Sequence, residues 1–263
     1  MSWQSADVDT NGIRVHYLRT GGNKPPIVLL HGLGGGGAVW TPIARALESE
    51  FDVVMPDARG HGRSSTPLHG YRYDDLAADT ESLIRALRLA RPVVVGHSMG
   101  GMTAATLASR RSAYLRGLVL VDPTFLTPER QREVRDSDAA DQHRKALGLT
   151  KEALVAERTG RHPHRSAEII DLLADAVLAT RMAAWDVLTP PTPDYRNIAS
   201  VFDVPSLLVI GDTPVVTPEV ANELRRINSR LRVEQIANAG HGVPYDQPDR
   251  LAELIAAFAR SLP

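Results

Sequence analysis

The sequence contains a serine, a histidine and two aspartates in places where they could act together. Ser98 is the centre of the pentapeptide GHSMG, His241 lies between two glycines near the end of the chain, and Asp122 and Asp212 each follow an apolar run. A serine hydroxyl is a poor nucleophile at neutral pH, so it needs a histidine within hydrogen-bond reach to take its proton. A carboxylate must in turn orient that histidine. These residue types predict nucleophilic attack on a carbonyl group.

The pentapeptide at residues 96–100 is typical of a sharp turn from a strand into a helix. The β-branched run VVV precedes it, and helix-forming sequence follows to about residue 110. The two glycines that flank Ser98 allow the strand and the helix to approach closely. The helix would direct its N-terminal amide donors at an anion that forms beside Ser98. Because so short a motif also occurs by chance, the surrounding sequence must show whether Ser98 is a nucleophile or an incidental serine in a turn.

Alternating strand and helix patterns surround this turn. Apolar runs typical of strands in a parallel sheet lie at residues 27–30, 51–57, 93–95, 118–123 and 205–212. A hairpin precedes them, and the clearest helical pattern covers residues 73–89. The alternation predicts a mostly parallel sheet. It stops between residues 125 and 201, where the sequence is helical or irregular, so we predict a helical cap there on a core formed by residues 1–124 and 202–263.

Composition limits the classes of partner. Thirty Lys and Arg against 31 Asp and Glu give a net charge of -1, which offers no attraction to nucleic acid or to an anionic membrane. The absence of cysteine excludes disulfides and thiolate chemistry. The first residues lack the pattern of a signal peptide, and no run approaches ~20 apolar residues. We therefore expect a soluble, cytoplasmic protein whose partner is a small-molecule substrate, and its oligomeric state stays open.

Four motifs in order resemble those of the α/β-hydrolase fold superfamily. They are LHG at residues 30–32, PDARGHGRS at 56–64, GHSMG at 96–100 and AGH at 239–241. The order Ser, Asp, His along the chain is also similar. The resemblance implies a mostly parallel eight-stranded sheet flanked by helices, with a helical cap inserted after the sixth strand. It further implies an oxyanion hole formed by the backbone amides of Leu33 and Met99.

The acid of the implied catalytic triad is where this sequence departs from the family. Most members place an aspartate three residues after the glycine that ends the seventh strand, and Pro214 stands there in this chain. Asp212 lies one residue after that glycine, and Asp122 ends the sixth strand, from which some lipases and dehalogenases supply their acid. We favour Asp122 over Asp212. At least one of the two is expected to be a carboxylate that caps a loop.

The function implied by the resemblance is that of a serine esterase or lactonase. Ser98 would form an acyl-enzyme that water then releases. C–C bond hydrolases, peptidases and cofactor-free haloperoxidases share this core, and the alternative from another class is a slow-turnover or non-catalytic small-molecule receptor. Six side chains could line a pocket for an apolar ester or lactone or simply pack the cap on the core: Phe125, Leu126, Met182, Trp185, Val187 and Leu188.

No cofactor or metal is expected. The glycine-rich loop at residues 31–37 lacks the Gly-Lys-Ser/Thr ending of a phosphate-binding loop, and His162 and His164 have no cysteine or clear carboxylate partner. The remaining histidines are interpreted as structural or solvated: His31, His61 and His97 in the family motifs, His16 on an alternating strand, and His69 and His143 in solvent.

Overall fold

One eight-stranded sheet forms the centre of the computed structural model, which describes residues 3–263. Its strands are β1 (Gln4–Thr10), β2 (Ile13–Arg19), β3 (Pro26–Leu30), β4 (Asp52–Pro56), β5 (Val93–His97), β6 (Gly117–Val121), β7 (Ser206–Ile210) and β8 (Leu231–Gln235). They are arranged in the order β1-β2-β4-β3-β5-β6-β7-β8. β1 and β2 pair antiparallel and β3 to β8 run parallel. The predicted fold class is therefore confirmed. Residues 1 and 2, which belong to the N-terminal segment judged to lack a signal-peptide pattern, lie outside the described residues.

Helices cover both faces of the sheet. They are α1 (Thr41–Leu47), α2 (Tyr73–Ala86), α3 (Met99–Arg111), α4 (Pro128–Asp136), α5 (Ala139–Ala146), α6 (Lys151–Arg161), α7 (Ala167–Leu178), α8 (Tyr195–Val201), α9 (Pro218–Ile227), α10 (Val243–Asp246) and α11 (Pro248–Ser261). One apolar cluster packs α2, α3, α8 and α9 on the sheet, and a second packs α1, α7 and α11 on the other face. Across residues 3–263, no helix combines the length and the apolar character needed to cross a lipid bilayer.

The parallel strands are buried on both faces. In β3, Ile27 and Leu29 join one apolar cluster, whereas Val28 and Leu30 join the other. Successive side chains of a strand point to opposite faces, so a continuous apolar run is what a sheet covered on both sides requires. This packing fixes the carboxyl ends of the strands, where the motif residues lie.

The N-terminal hairpin is more buried than its alternating sequence indicates. His16, on the face expected to be exposed, is 5% exposed. Its Nδ1 lies 2.9 Å from the Oδ2 atom of Asp57, and its backbone amide donates to Ser64. The loop after β4 therefore covers this part of β2, which the local pattern of β2 could not indicate.

The segment between β6 and β7 is helical and adds no strand to the described sheet. It contains α4 to α8 and a 3-10 segment, Met182–Leu188. The sequence pattern indicates a helical or irregular segment here but does not reveal α4 and α5 as separate helices. Each of those two helices buries one residue, Gln131 and His143 respectively, so neither carries a periodic apolar face.

Candidate active site

Ser98 lies on a strained turn between β5 and α3. Its backbone has φ 54° and ψ -117°, which a side-chain-bearing residue adopts only when its surroundings enforce it. A Cβ atom at Gly96 would lie 2.1 Å from the carbonyl oxygen of Gly100, and one at Gly100 would lie 2.3 Å from that of Leu30. Both positions therefore require glycine, and the turn they permit lifts Ser98 above the carboxyl end of the sheet.

Ser98, His241 and Asp122 form a continuous row of hydrogen bonds. His241 places Nε2 at 3.0 Å from Ser98 Oγ and Nδ1 at 2.5 Å from Asp122 Oδ2. Asp122 is fully buried, and Ser98 is 9% exposed. If Nδ1 carries the proton donated to Asp122, Nε2 is free to accept the hydroxyl proton of Ser98. This arrangement can raise the nucleophilicity of the hydroxyl.

Asp122 is held by the loop that follows β7. Its Oδ2 atom accepts the backbone amide of Val215 and its Oδ1 atom accepts that of Val216, both at 2.9 Å. Pro214, which stands where most family members have their acid, immediately precedes these two donors. The loop after β7 thus contributes amides that fix a carboxylate from β6.

Asp212 makes different contacts. Its carboxylate accepts the amide of Asn238 at 2.7 Å and the side chain of Gln235 at 3.1 Å, and the residue is exposed. These bonds tie the loop after β7 to β8 and to the turn that follows it. Of the two aspartates considered, the structure brings only Asp122 into contact with His241.

The Leu33 and Met99 amides are available beside Ser98. In the described part of the chain neither amide has a hydrogen-bond acceptor. A Cβ atom at Gly32 would lie 3.1 Å from Ser98 Cβ, so the loop carrying Leu33 passes directly against the serine. Two free amides near a hydroxyl can stabilise an oxyanion.

Two buried histidines hold the loop that carries Leu33. His31 donates Nδ1–H to the carbonyl of Gly32 at 2.8 Å and accepts the amide of Ala58 at 3.0 Å. His61 donates Nδ1–H to the carbonyl of Arg59 at 2.9 Å and accepts the amide of Gly34 at 3.2 Å. Burial lowers the pKa of both rings, that of His61 to about 3. As neutral rings, each can donate and accept at once.

His97 connects the serine turn to the histidine loop. Its Nε2–H donates to the carbonyl of His241 at 2.8 Å, and the two rings lie 4.9 Å apart. Burial, with a smaller contribution from the charge of His241, lowers the pKa of His97 to about 3. The residue next to Ser98 therefore positions the backbone of His241.

Mild acid is expected to destabilise the fold. His61 and His97 have pKa values of about 3 in the folded state against 6.5 for the free side chain. Between these values the unfolded chain binds protons that the folded chain does not, so the free energy of unfolding falls as the pH falls. From about pH 7.5 to about pH 5 each of these two groups should contribute a loss of about 2 kcal/mol. Urea denaturation at several pH values measures it.

The matched control is His69, which is exposed. A His69→Asn variant should keep the pH dependence of the wild type, whereas His61→Asn should flatten it whatever its absolute stability. Equal slopes in all three proteins would contradict a buried neutral His61.

A cavity of about 1000 Å³ opens at Ser98 and His241. Its other wall comes from the helical insertion, including residues of α5, α6 and α7. Of the six apolar residues considered for a pocket, only Trp185 lines this cavity. Phe125 instead stacks on Tyr195 at 5.4 Å, and Val187 packs in the core. The six residues therefore do not form an apolar pocket.

His143 is buried, contrary to the prediction that it is solvated. Its Nε2 lies 3.1 Å from the carbonyl oxygen of Thr180, and its ring packs 5.1 Å from that of Trp185. The short and mostly polar helix α5 gave no signal for this burial. His164, expected to lack a clear carboxylate partner, places Nε2 at 3.0 Å from Asp246 Oδ1. Residues 3–263 contain no cluster of three or more His, Asp or Glu arranged to hold a metal ion.

Comparison with known proteins identifies the family. Residues 25–248 match the sequence model described as the alpha/beta hydrolase fold, and the chain belongs to this family. It is 30% identical over 246 residues to the N-formylmaleamate deformylase of Pseudomonas putida. The aligned region covers 92% of this chain and 91% of that protein. It is 27% identical over 270 residues to the 2-(acetamidomethylene)succinate hydrolase of Mesorhizobium japonicum. That aligned region covers 97% of this chain and 94% of the relative.

A solved structure shares the whole architecture. The enol-lactonase from Burkholderia xenovorans superposes with a TM-score of 0.80 at 26% identity, over 97% of this chain and 100% of that one. The resemblance inferred from four short motifs is thus confirmed for the fold, and the relatives named here are hydrolases.

Proposed function

We propose that the protein is a serine hydrolase that cleaves a small-molecule carboxylic ester or lactone through an acyl-enzyme on Ser98. The observation that carries this proposal is the row of hydrogen bonds from Asp122 through His241 to Ser98 at the wall of a large cavity. The family and its hydrolase relatives support it.

The reaction follows from the contacts. His241 takes the proton of Ser98 as Oγ attacks the carbonyl carbon, and Asp122 stabilises the charged ring. The amides of Leu33 and Met99 bind the oxyanion of the tetrahedral intermediate. His241 then gives its proton to the leaving oxygen, and the acyl group stays on Ser98. Water attacks this ester by the same route and releases the acid.

An acyl bond to nitrogen is the second candidate. The relative from Pseudomonas putida is named a deformylase of an N-formyl compound, and its identity to this chain is 30%. The same residues can perform this chemistry, because His241 would protonate a departing nitrogen instead of an oxygen.

We further propose that residues 125–201 act as a cap on a core formed by residues 1–124 and 202–263. Arg165 supports this role because it reaches from the insertion to Asp246, with Nε at 2.7 Å from Oδ1. Its guanidinium also lies 5.5 Å from the ring centre of Tyr245. The insertion is thereby connected to the segment that follows His241.

A substrate panel tests the proposed reaction. We expect rapid hydrolysis of p-nitrophenyl acetate or butyrate, or of a lactone, and slower hydrolysis of an N-formyl amide. Trapping with one of these esters should leave an acyl group on Ser98 detectable by mass spectrometry. Faster amide turnover would favour the second candidate. Tight binding without turnover of any compound would contradict the enzyme and favour a receptor.

A further inference from the structure

The cavity at Ser98 carries an excess of positive charge. Its cationic lining residues in the described structure are Lys145, Arg158, Arg161 and Arg165, and its acidic ones are Glu157 and Asp246. Both carboxylates are already paired. Glu157 accepts from Arg161 at 2.6 Å, and Asp246 accepts from Arg165 at 2.7 Å. Lys145 and Arg158 form no ion pair among residues 3–263, although the charge of Glu157 is close enough to act on the pKa of Arg158.

Arg158 is the unusual member of this set. It lies on α6 and is half-buried, and its Nε–H is fully enclosed without a hydrogen-bond acceptor. Burial lowers the pKa of its guanidinium. A buried charge without a partner costs free energy, so such residues usually bind an opposite charge. The exposed Lys145 carries no such cost.

Arg158 lines the same cavity as Ser98 and His241. Its charge is close enough to lower the pKa of Tyr245, although burial raises that pKa overall to about 12. The ring of Tyr245 packs edge-on at 5.5 Å from that of His97, and His97 contacts His241. A ligand bound by Arg158 would therefore lie in the cavity that Ser98 also lines.

A second buried donor, on Trp185, also lacks an acceptor. Trp185 lines the cavity, and its indole Nε1–H is buried without an acceptor. Both residues that line the cavity and have an unpaired buried donor are therefore suited to a ligand that brings acceptor oxygens. The planar guanidinium of arginine matches the two oxygens of a carboxylate with two parallel hydrogen bonds.

We propose that Arg158 binds a carboxylate of the substrate, and that the preferred substrate is an acyl compound with a second, ionised carboxyl group. This inference rests on the proposed serine hydrolase, because it concerns recognition in the cavity of Ser98. It replaces the expectation of an apolar ester, which depended on six side chains of which only Trp185 lines the cavity.

Matched esters test the proposal. The acidic series consists of the mono-p-nitrophenyl esters of succinate, glutarate and adipate. The neutral series consists of p-nitrophenyl butyrate, valerate and hexanoate, in which a methyl group replaces each carboxylate. For at least one chain length, kcat/KM of the wild type should be at least about 10-fold higher for the acidic ester, as expected for a charge-assisted hydrogen bond.

Arg158→Gln should remove this preference. We expect kcat/KM for the best acidic ester to fall about 10- to 100-fold, mainly through KM, and that for the neutral ester to change little. Arg144→Gln is the matched control, since Arg144 is exposed on α5, pairs with Asp141 and does not line the cavity. It removes the same charge and should leave the preference intact.

Two further measurements separate the possible failures. Arg158→Gln should be at least as thermally stable as the wild type, whereas a clear loss of stability would assign Arg158 to the fold.

In Ser98→Ala, glutarate should bind more weakly once Arg158 is also replaced. If the wild type binds glutarate through Arg158 but hydrolyses none of the esters, the proposed function is overturned and the carboxylate site is kept. Hydrolysis with no preference for any acidic ester, or a preference that survives Arg158→Gln, overturns the carboxylate site alone.

Discussion

Ser98→Ala is expected to abolish ester hydrolysis and to leave the fold intact. The substitution removes one oxygen atom that points from the turn towards His241, and it keeps the Cβ atom and the packing of Met99 and Gly100. Without the nucleophile, only binding and oxyanion stabilisation remain, so the rate should fall by about 10³-fold or more. Initial rates with p-nitrophenyl butyrate measure the loss, and thermal unfolding reports the fold.

Ser109→Ala is the matched control for this variant. Ser109 lies on the same helix, α3, and its hydroxyl donates only to the carbonyl of Thr106 at 2.8 Å. It should keep nearly full activity. A fluorophosphonate probe should modify the wild type on Ser98, as located by peptide mass mapping. More than about a tenth of the activity in Ser98→Ala would show that another group is the nucleophile.

Asp122→Asn is expected to reduce turnover by about 10⁴-fold with little effect on substrate binding. The carboxylate orients His241 and stabilises its charged form, and an amide does neither. It also accepts the amides of Val215 and Val216, so the variant should lose about 1 to 3 kcal/mol of stability. Rates are therefore measured well below the unfolding temperature of the variant.

Asp212→Asn provides the comparison at the other candidate position. Its carboxylate contacts Gln235 and the amide of Asn238 at the protein surface. Turnover should stay within about tenfold of the wild type, because no contact with His241 is lost. A larger loss in Asp212→Asn than in Asp122→Asn would reverse the assignment of the acid and leave Ser98 and His241 unaffected.

The sequence specified the serine and the histidine better than the acid because their signals are local. Gly96 and Gly100 are needed at fixed distances from Ser98, so the turn is visible within five residues. Asp122 and Asp212 both follow strands, and the amides that distinguish them come from Val215 and Val216, more than ninety residues after Asp122. Only the pairing of β6 with β7 brings these groups together.

The cavity wall was the part least accessible from the sequence. Arg158 and Arg161 are three residues apart on α6, a spacing that places both on one face. That spacing is common on solvated helices and gives no sign that Arg158 is half-buried while Arg161 pairs with Glu157. Likewise, the burial of His143 depends on Trp185 and Thr180, which are contacts across the insertion.

The division of the cavity between two parts of the chain has a consequence for protein engineering. Ser98, Asp122 and His241 lie in the segments around the sheet, whereas Arg158 and Trp185 belong to the insertion. A library that randomises the insertion can therefore search for new selectivity while the glycines at positions 96 and 100, which admit no other residue, stay untouched. For the proposed hydrolase, such changes in the insertion would leave Ser98, Asp122 and His241 in place.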